Sequence, residues 1–183
     1  MNEKEFWDII KQMQSYDEPF EWLIEHLSKK TDDEIIDYEI HLKNALDKSY
    51  TSHLWGAGYL IMGGCSDDCF EYFRCWLIAQ GQEIFELTLE NPEFLAECIP
   101  DFYEEEEIVP ELEDMLYIAM EAYSLKKTGD VDCDEASDEF LSRVEEREYE
   151  CNRDNIEFDW EDEDDLMVLF PKLWDRFGEN PLG

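Results

Sequence analysis

Positive charge is what this chain has least of. Lys and Arg number 14 against 50 Asp and Glu, giving a formal net charge of −36 at pH 7. A skin of that sign repels phosphate backbones and anionic lipid and attracts basic proteins or cations, so neither direct nucleic-acid binding nor membrane attachment is expected. Long apolar runs are also missing. None approaches the roughly 18 residues that a membrane-spanning helix needs. The opening MNEKEFWDII lacks the basic-then-apolar layout of a signal peptide. The expectation is a soluble, cytoplasmic protein.

Paired cysteine ligands are absent too. Cys65, Cys69, Cys75, Cys98, Cys133 and Cys151 include no Cys-x-x-Cys, so reduced thiols are expected. The cluster Cys65, Cys69 and Cys75 with His53 upstream offers one Cys-x3-Cys pair without a second, which does not make a zinc site. The carboxylates around Asp130–Asp134 and Asp159–Asp165 alternate, but the glycine and glutamate that an EF-hand loop requires at its sixth and twelfth positions are not in place. The chain contains no GxSxG, P-loop, HExxH or GxGxxG, and His26, His41 and His53 fall in separate helical contexts. No catalytic residue, metal or cofactor is expected.

What is present argues against disorder. The chain is 44% hydrophobic and 14% aromatic, with 11 Phe, 9 Tyr and 6 Trp, which acidic disordered tails lack. At 183 residues it is long enough for one domain that buries roughly two-thirds of its unfolded surface. The apolar residues recur at i, i+3, i+4 and i+7. Asn2 with Glu5 and Thr31 with Glu34 spell capping boxes, and Pro19 opens a helix between them. Ser52 is placed to cap a fourth helix that Gly63-Gly64 ends, and Ser66-Asp67-Asp68 to start the longest one, carrying Gly81 inside it. Asn91-Pro92 restarts the chain. A loop with the run Glu104–Glu107 lies between Pro100 and Pro110, and a helix from Pro110 stops at Gly129. Residues 130–165 read as an acidic, weakly structured insert or surface segment, and a helical tail follows, broken at Pro171. Nothing favours a sheet. The expected fold is all-α, a single-domain multi-helix bundle of about seven to nine helices.

The run LWGAGYLIMGGCSDDCFEYFRCWLIAQG, Leu54 to Gly81, resembles the signature of an uncharacterised bacterial family, the domain of unknown function 4240. Met62 and Cys69 stand where the family usually has Asn and Gly. The likeness extends to FWDII near Phe6, to Ala122-Tyr123 and to the Pro171–Leu173 tail. The resemblance implies common ancestry and a shared fold, and carries no activity with it.

Two functions fit. The first is a non-enzymatic, highly acidic protein that sequesters or inhibits a basic protein partner. Its most concrete form is an immunity protein neutralising a nuclease or other toxin, with Glu104, Glu105, Glu106, Glu107, Asp162, Asp164 and Asp165 as the acidic interaction surface. The alternative is a small polar-ligand-binding protein or enzyme with a pocket at the GGCSDD loop, lined by Trp55, Ser66, Asp67, Asp68, Arg74 and Gln80. Against that alternative, Ser66, Asp67 and Asp68 are what a helix N-terminus wants for its own stability, and tryptophans at helical spacing are ordinarily core. Cys69 in the first turn would gain thiolate character from the helix dipole, but Asp67 and Asp68 oppose it.

Overall fold

The structure is a computed structural model, and it describes residues 1–147, 149 and 156–183. All regular structure among them is helical, without a strand. In chain order the α-helices are α1 (Glu3–Met13), α2 (Pro19–Ser28), α3 (Asp32–Lys48), α4 (Ser52–Met62), α5 (Asp67–Ala79), α6 (Gln82–Glu90), α7 (Leu95–Cys98), α8 (Phe102–Glu105), α9 (Ile118–Thr128), α10 (Asp134–Glu145), α11 (Glu163–Leu169) and α12 (Pro171–Phe177). Short 3-10 turns at Pro92–Phe94 and Glu113–Leu116 lead into α7 and α9. Twelve α-helices among the described residues exceed the seven to nine expected. The surplus comes from periodic stretches that local backbone breaks into shorter pieces.

Gly81 makes the largest such break. It adopts φ 92 and ψ 166, which side-chain-bearing residues rarely reach, so the expected long helix is two, α5 and α6, and α3 with 17 residues is the longest. Tyr117 similarly separates the 3-10 turn at Glu113–Leu116 from α9, and the stretch between Pro100 and Pro110 holds α8 where a loop is expected. The cap of α4 also differs. Thr51, not Ser52, accepts the Leu54 amide, and Ser52 is the first helical residue. Residues 130–165 contain α10, while Glu148 and residues 150–155, Cys151 among them, lie outside the described residues.

The chain groups into two compact units. The first comprises Met1–Asp47 and Glu113–Asn152, the second Lys48–Leu112 and Arg153–Gly183.

In the first unit, α9 lies between α2 and α10, and its Ala119 and Ala122 have no exposed surface. Small side chains there allow the close approach that ridge-in-groove packing needs. Phe6, Ile10, Leu23, Ile35, Tyr38, Tyr123 and Phe140 fill the core, each apolar side chain contributing about 1.5–3 kcal/mol by leaving water. Both expected capping boxes form. Asn2 and Glu5 satisfy one another's backbone amides, as do Thr31 and Glu34. An ion-pair lattice ties α3 to α9 and α10. Asp32 receives Lys127 at 2.6 Å and Arg143 at 2.8 Å, and Asp33 receives Arg147 at 2.9 Å. Asp37 takes Arg147 and the Met1 ammonium.

In the second unit, α4 is the element on which α5, α11 and α12 pack. Gly56 is its contact point. A Cβ there would stand 2.7 Å from Leu166 Cδ2 and 3.0 Å from Trp160 Nε1, so glycine lets α11 and the residues before it close on the helix. Gly63 ends α4 at φ 68, in the left-handed cap conformation expected of it.

Candidate functional site

The second unit holds every residue singled out for a site. Ser66 caps α5 by accepting the Cys69 amide at 3.2 Å, and Asp67 and Asp68 follow it exposed in the first turn. The loop before them is closed by Trp55, whose Nε1 donates to the Cys65 carbonyl at 2.9 Å. The Trp55 ring stacks on Phe70 at 4.5 Å between centroids. On the same Phe70 ring lies the Arg74 guanidinium, 4.7 Å from its centroid, and it also stands 5.1 Å from the Tyr50 ring.

Trp55 and Arg74 are therefore brought together, but around a buried aromatic. Arg74 is 1% exposed and Trp55 9%. The Arg74 Nε donates to the Phe70 carbonyl at 3.1 Å, and Glu71 stands 3.9 Å from its Nη2. A guanidinium against two rings gains cation–π attraction that strengthens as water is removed. Asp67, seven positions back and on the same helical face, is exposed. Gln80 forms the other end of α5, where its Nε2 donates to the Trp76 carbonyl at 3.0 Å. Trp76 is 2% exposed and donates to Tyr103 Oη at 2.8 Å.

Five cysteines among the described residues are free thiols. Burial, reinforced by Cys69 nearby, pushes the Cys65 thiol up to about 12, and burial pushes Cys98 up to about 11. Neither is a thiolate at neutral pH. Among the described residues no group of three or more His, Cys, Asp or Glu is placed to hold a metal ion, and no helix is long and apolar enough to cross a membrane.

The acids of the expected interaction surface divide into two sets. Glu104 pairs with Arg176, whose Nε donates to Oε1 at 2.7 Å. Asp162 caps α11 by accepting the Asp165 amide at 3.2 Å, and Asp165 accepts the Glu161 amide at 2.9 Å, so both carboxylates are engaged in local structure. Glu105, Glu106, Glu107 and Asp164 are exposed, and no ion pair reaches them among the described residues.

Three features escaped sequence reasoning. Arg176 joins four acceptors at once: Asp101, Glu104 and the Ala96 and Ile99 carbonyls. A single arginine in a tail helix carries no local signal of this. Asp159 accepts from the Ser52 hydroxyl and from His53 Nε2, both at 2.5 Å, and Trp160 Nε1 donates to the Ser52 carbonyl at 3.1 Å, so residues 156–160 are fastened to α4. The Ser52 hydroxyl, then His53, hold the Asp159 carboxyl below the usual carboxylate range. Both Ser52 and His53 address the carboxylate, which is not the serine-to-histidine bond of a nucleophilic triad. Phe102 and Ile108, 48% and 43% exposed, flank the glutamate run, and those positions were visible in DFYEEEEIV.

The fold and these contacts define an all-helical, strongly acidic protein whose central motif buries Trp55, Arg74 and Trp76. The chain belongs to the family described as protein of unknown function (DUF4240), matched over residues 1–125. The Leu54–Gly81 run lies inside the match and the Pro171–Leu173 tail outside it. No curated protein matches the chain, and no solved structure does.

Proposed function

We propose that the protein is a non-enzymatic binding protein that sequesters or inhibits a basic protein, in its most concrete form an immunity protein that neutralises a toxin such as a nuclease, acting in the cytoplasm. One observation carries this reading: the few cations are largely occupied within the molecule. Lys4, Lys29, Lys43, Arg74, Lys126, Lys127, Arg143, Arg147, Lys172 and Arg176 each stand within ion-pair distance of an acid of this chain. The formal net charge of −36 therefore has few free cations within the molecule to offset it. Such a field accelerates encounter with a cationic protein and makes the complex salt-sensitive.

The competing pocket at the GGCSDD loop has less support, because Trp55 and Arg74 are buried around Phe70 and Ser66 is occupied as a cap. The test is capture of partners from the source cell on immobilised protein at low salt, followed by affinity measurement over a salt series. The reading expects a basic protein whose affinity falls steeply with salt, and a toxin gene beside this one would specify the class. A partner of neutral or acidic charge, bound equally at all salt concentrations, would overturn it.

A further inference from the structure

The α8 turn combines features that neither its charge nor its apolar residues explain alone. Phe102 and Ile108 stand 48% and 43% exposed at either end of the glutamate run. They belong to a hydrogen-bonded turn, since the Glu106 amide donates to the Phe102 carbonyl and the Ile108 amide to the Tyr103 carbonyl, both at 2.9 Å. The turn is anchored from beneath. Tyr103 Oη accepts from the buried Trp76, its ring lies 4.5 Å from that of Phe102, and Arg176 holds Asp101 and Glu104. With those two acids engaged, Glu105, Glu106 and Glu107 remain exposed between the apolar side chains.

We infer that this face is a docking surface for a cationic amphipathic segment of the partner, one with an apolar side chain flanked by lysines or arginines. The inference rests on the proposed basic partner and specifies which surface receives it and by what chemistry. Charge complementarity selects the occupant. A purely polycationic segment would pair the glutamates and leave Phe102 and Ile108 wet. A purely apolar one would desolvate three carboxylates without giving them partners. Only a segment carrying both satisfies the face, with its apolar anchor on Phe102 and Ile108 and its cations on the carboxylates. Because Arg176 and Trp76 already hold the turn in place, little ordering cost opposes binding. Asp162, which caps α11, and Asp165, which holds the Glu161 amide, take no part.

The experiment uses the full chain and two labelled peptides of equal length and charge, one alternating lysine with leucine and the other lysine with serine, followed by fluorescence anisotropy at low salt. The leucine peptide is expected to bind about tenfold tighter. The Phe102→Ala/Ile108→Ala variant removes that difference and leaves serine-peptide affinity unchanged. The Glu105→Gln/Glu106→Gln/Glu107→Gln variant weakens both peptides about tenfold. Melting midpoints verify that each variant is folded, and the single Phe102→Ala and Ile108→Ala variants replace the double one if its midpoint falls. Equal affinity for the two peptides, or a leucine-peptide affinity that the alanine variants leave unchanged, overturns the docking surface. If the glutamine variant still weakens both peptides, the electrostatic reading survives that result. Failure of the native chain to bind either peptide overturns both.

Discussion

Arg176 Nε donates to Glu104 Oε1 at 2.7 Å, and the same guanidinium donates from Nη1 to the Ala96 and Ile99 carbonyls, both at 2.9 Å. One side chain on α12 thus satisfies the C-terminal carbonyls of α7 and fixes the start of α8. Arg176→Met keeps most of the stem and removes every donor, and is expected to destabilise the protein by about 2 kcal/mol. Urea denaturation measures this, and an unchanged midpoint would show that water replaces the arginine at no cost.

Gly81→Ala gives opposite signs for the two descriptions of this position. Inside one long helix, alanine would stabilise by about 1 kcal/mol. At φ 92 and ψ 166, between α5 and α6, it is expected to destabilise by about 1–3 kcal/mol. The direction of the shift in melting midpoint decides.

That contrast shows which features were legible in the sequence. Caps depend on residues three apart, so Asn2 with Glu5 and Thr31 with Glu34 could be read directly and are found as expected. The break at Gly81 could not, because Phe70, Phe73, Leu77, Ile84 and Leu87 keep helical spacing across it and periodicity carries no information on φ. The same limit hid α8, where a glutamate run reads as solvated loop. At the site, Ser66 was legible as a cap, but the fate of Arg74 depended on Tyr50 and Phe70 closing over it, a tertiary event. Asp32 with Arg143 and Ser52 with Asp159 join residues more than a hundred positions apart, and no local pattern marks such pairs.

Glu39 is buried on α3, where desolvation raises its pKa above the ordinary 4.5 against the pull of Lys43 at 3.6 Å. A raised folded-state pKa contributes stability that is fully present below the ordinary value and is lost as pH rises through the folded value. Glu39→Gln should therefore stabilise the protein relative to the native chain at pH 7, with the gain shrinking as pH falls through the raised folded value and gone below 4.5. Melting midpoints of both proteins at the two ends of that range test the sign. A gain largest in acid would contradict it.

Asp159 has the opposite sense. Its carboxyl is held below the ordinary 3.8 by the Ser52 hydroxyl and then His53, so its contribution is present above that value and lost as pH falls through the folded one. Its side chain is 46% exposed, which limits the loss in Asp159→Asn to about 0.5 kcal/mol at neutral pH. The difference between the native chain and the variant should vanish in strong acid. Trp160, bonded to the Ser52 carbonyl, supplies a fluorescence signal for release of the segment.

The central claim, that a net charge of −36 serves to bind a basic protein, is tested most directly by the affinity for the captured partner as salt is raised. Between about 0.05 and 0.5 M salt, screening shortens the reach of surface charge severalfold. The account predicts that affinity falls at least about tenfold over that range, chiefly through slower association. An affinity and association rate that stay constant across the series would contradict it.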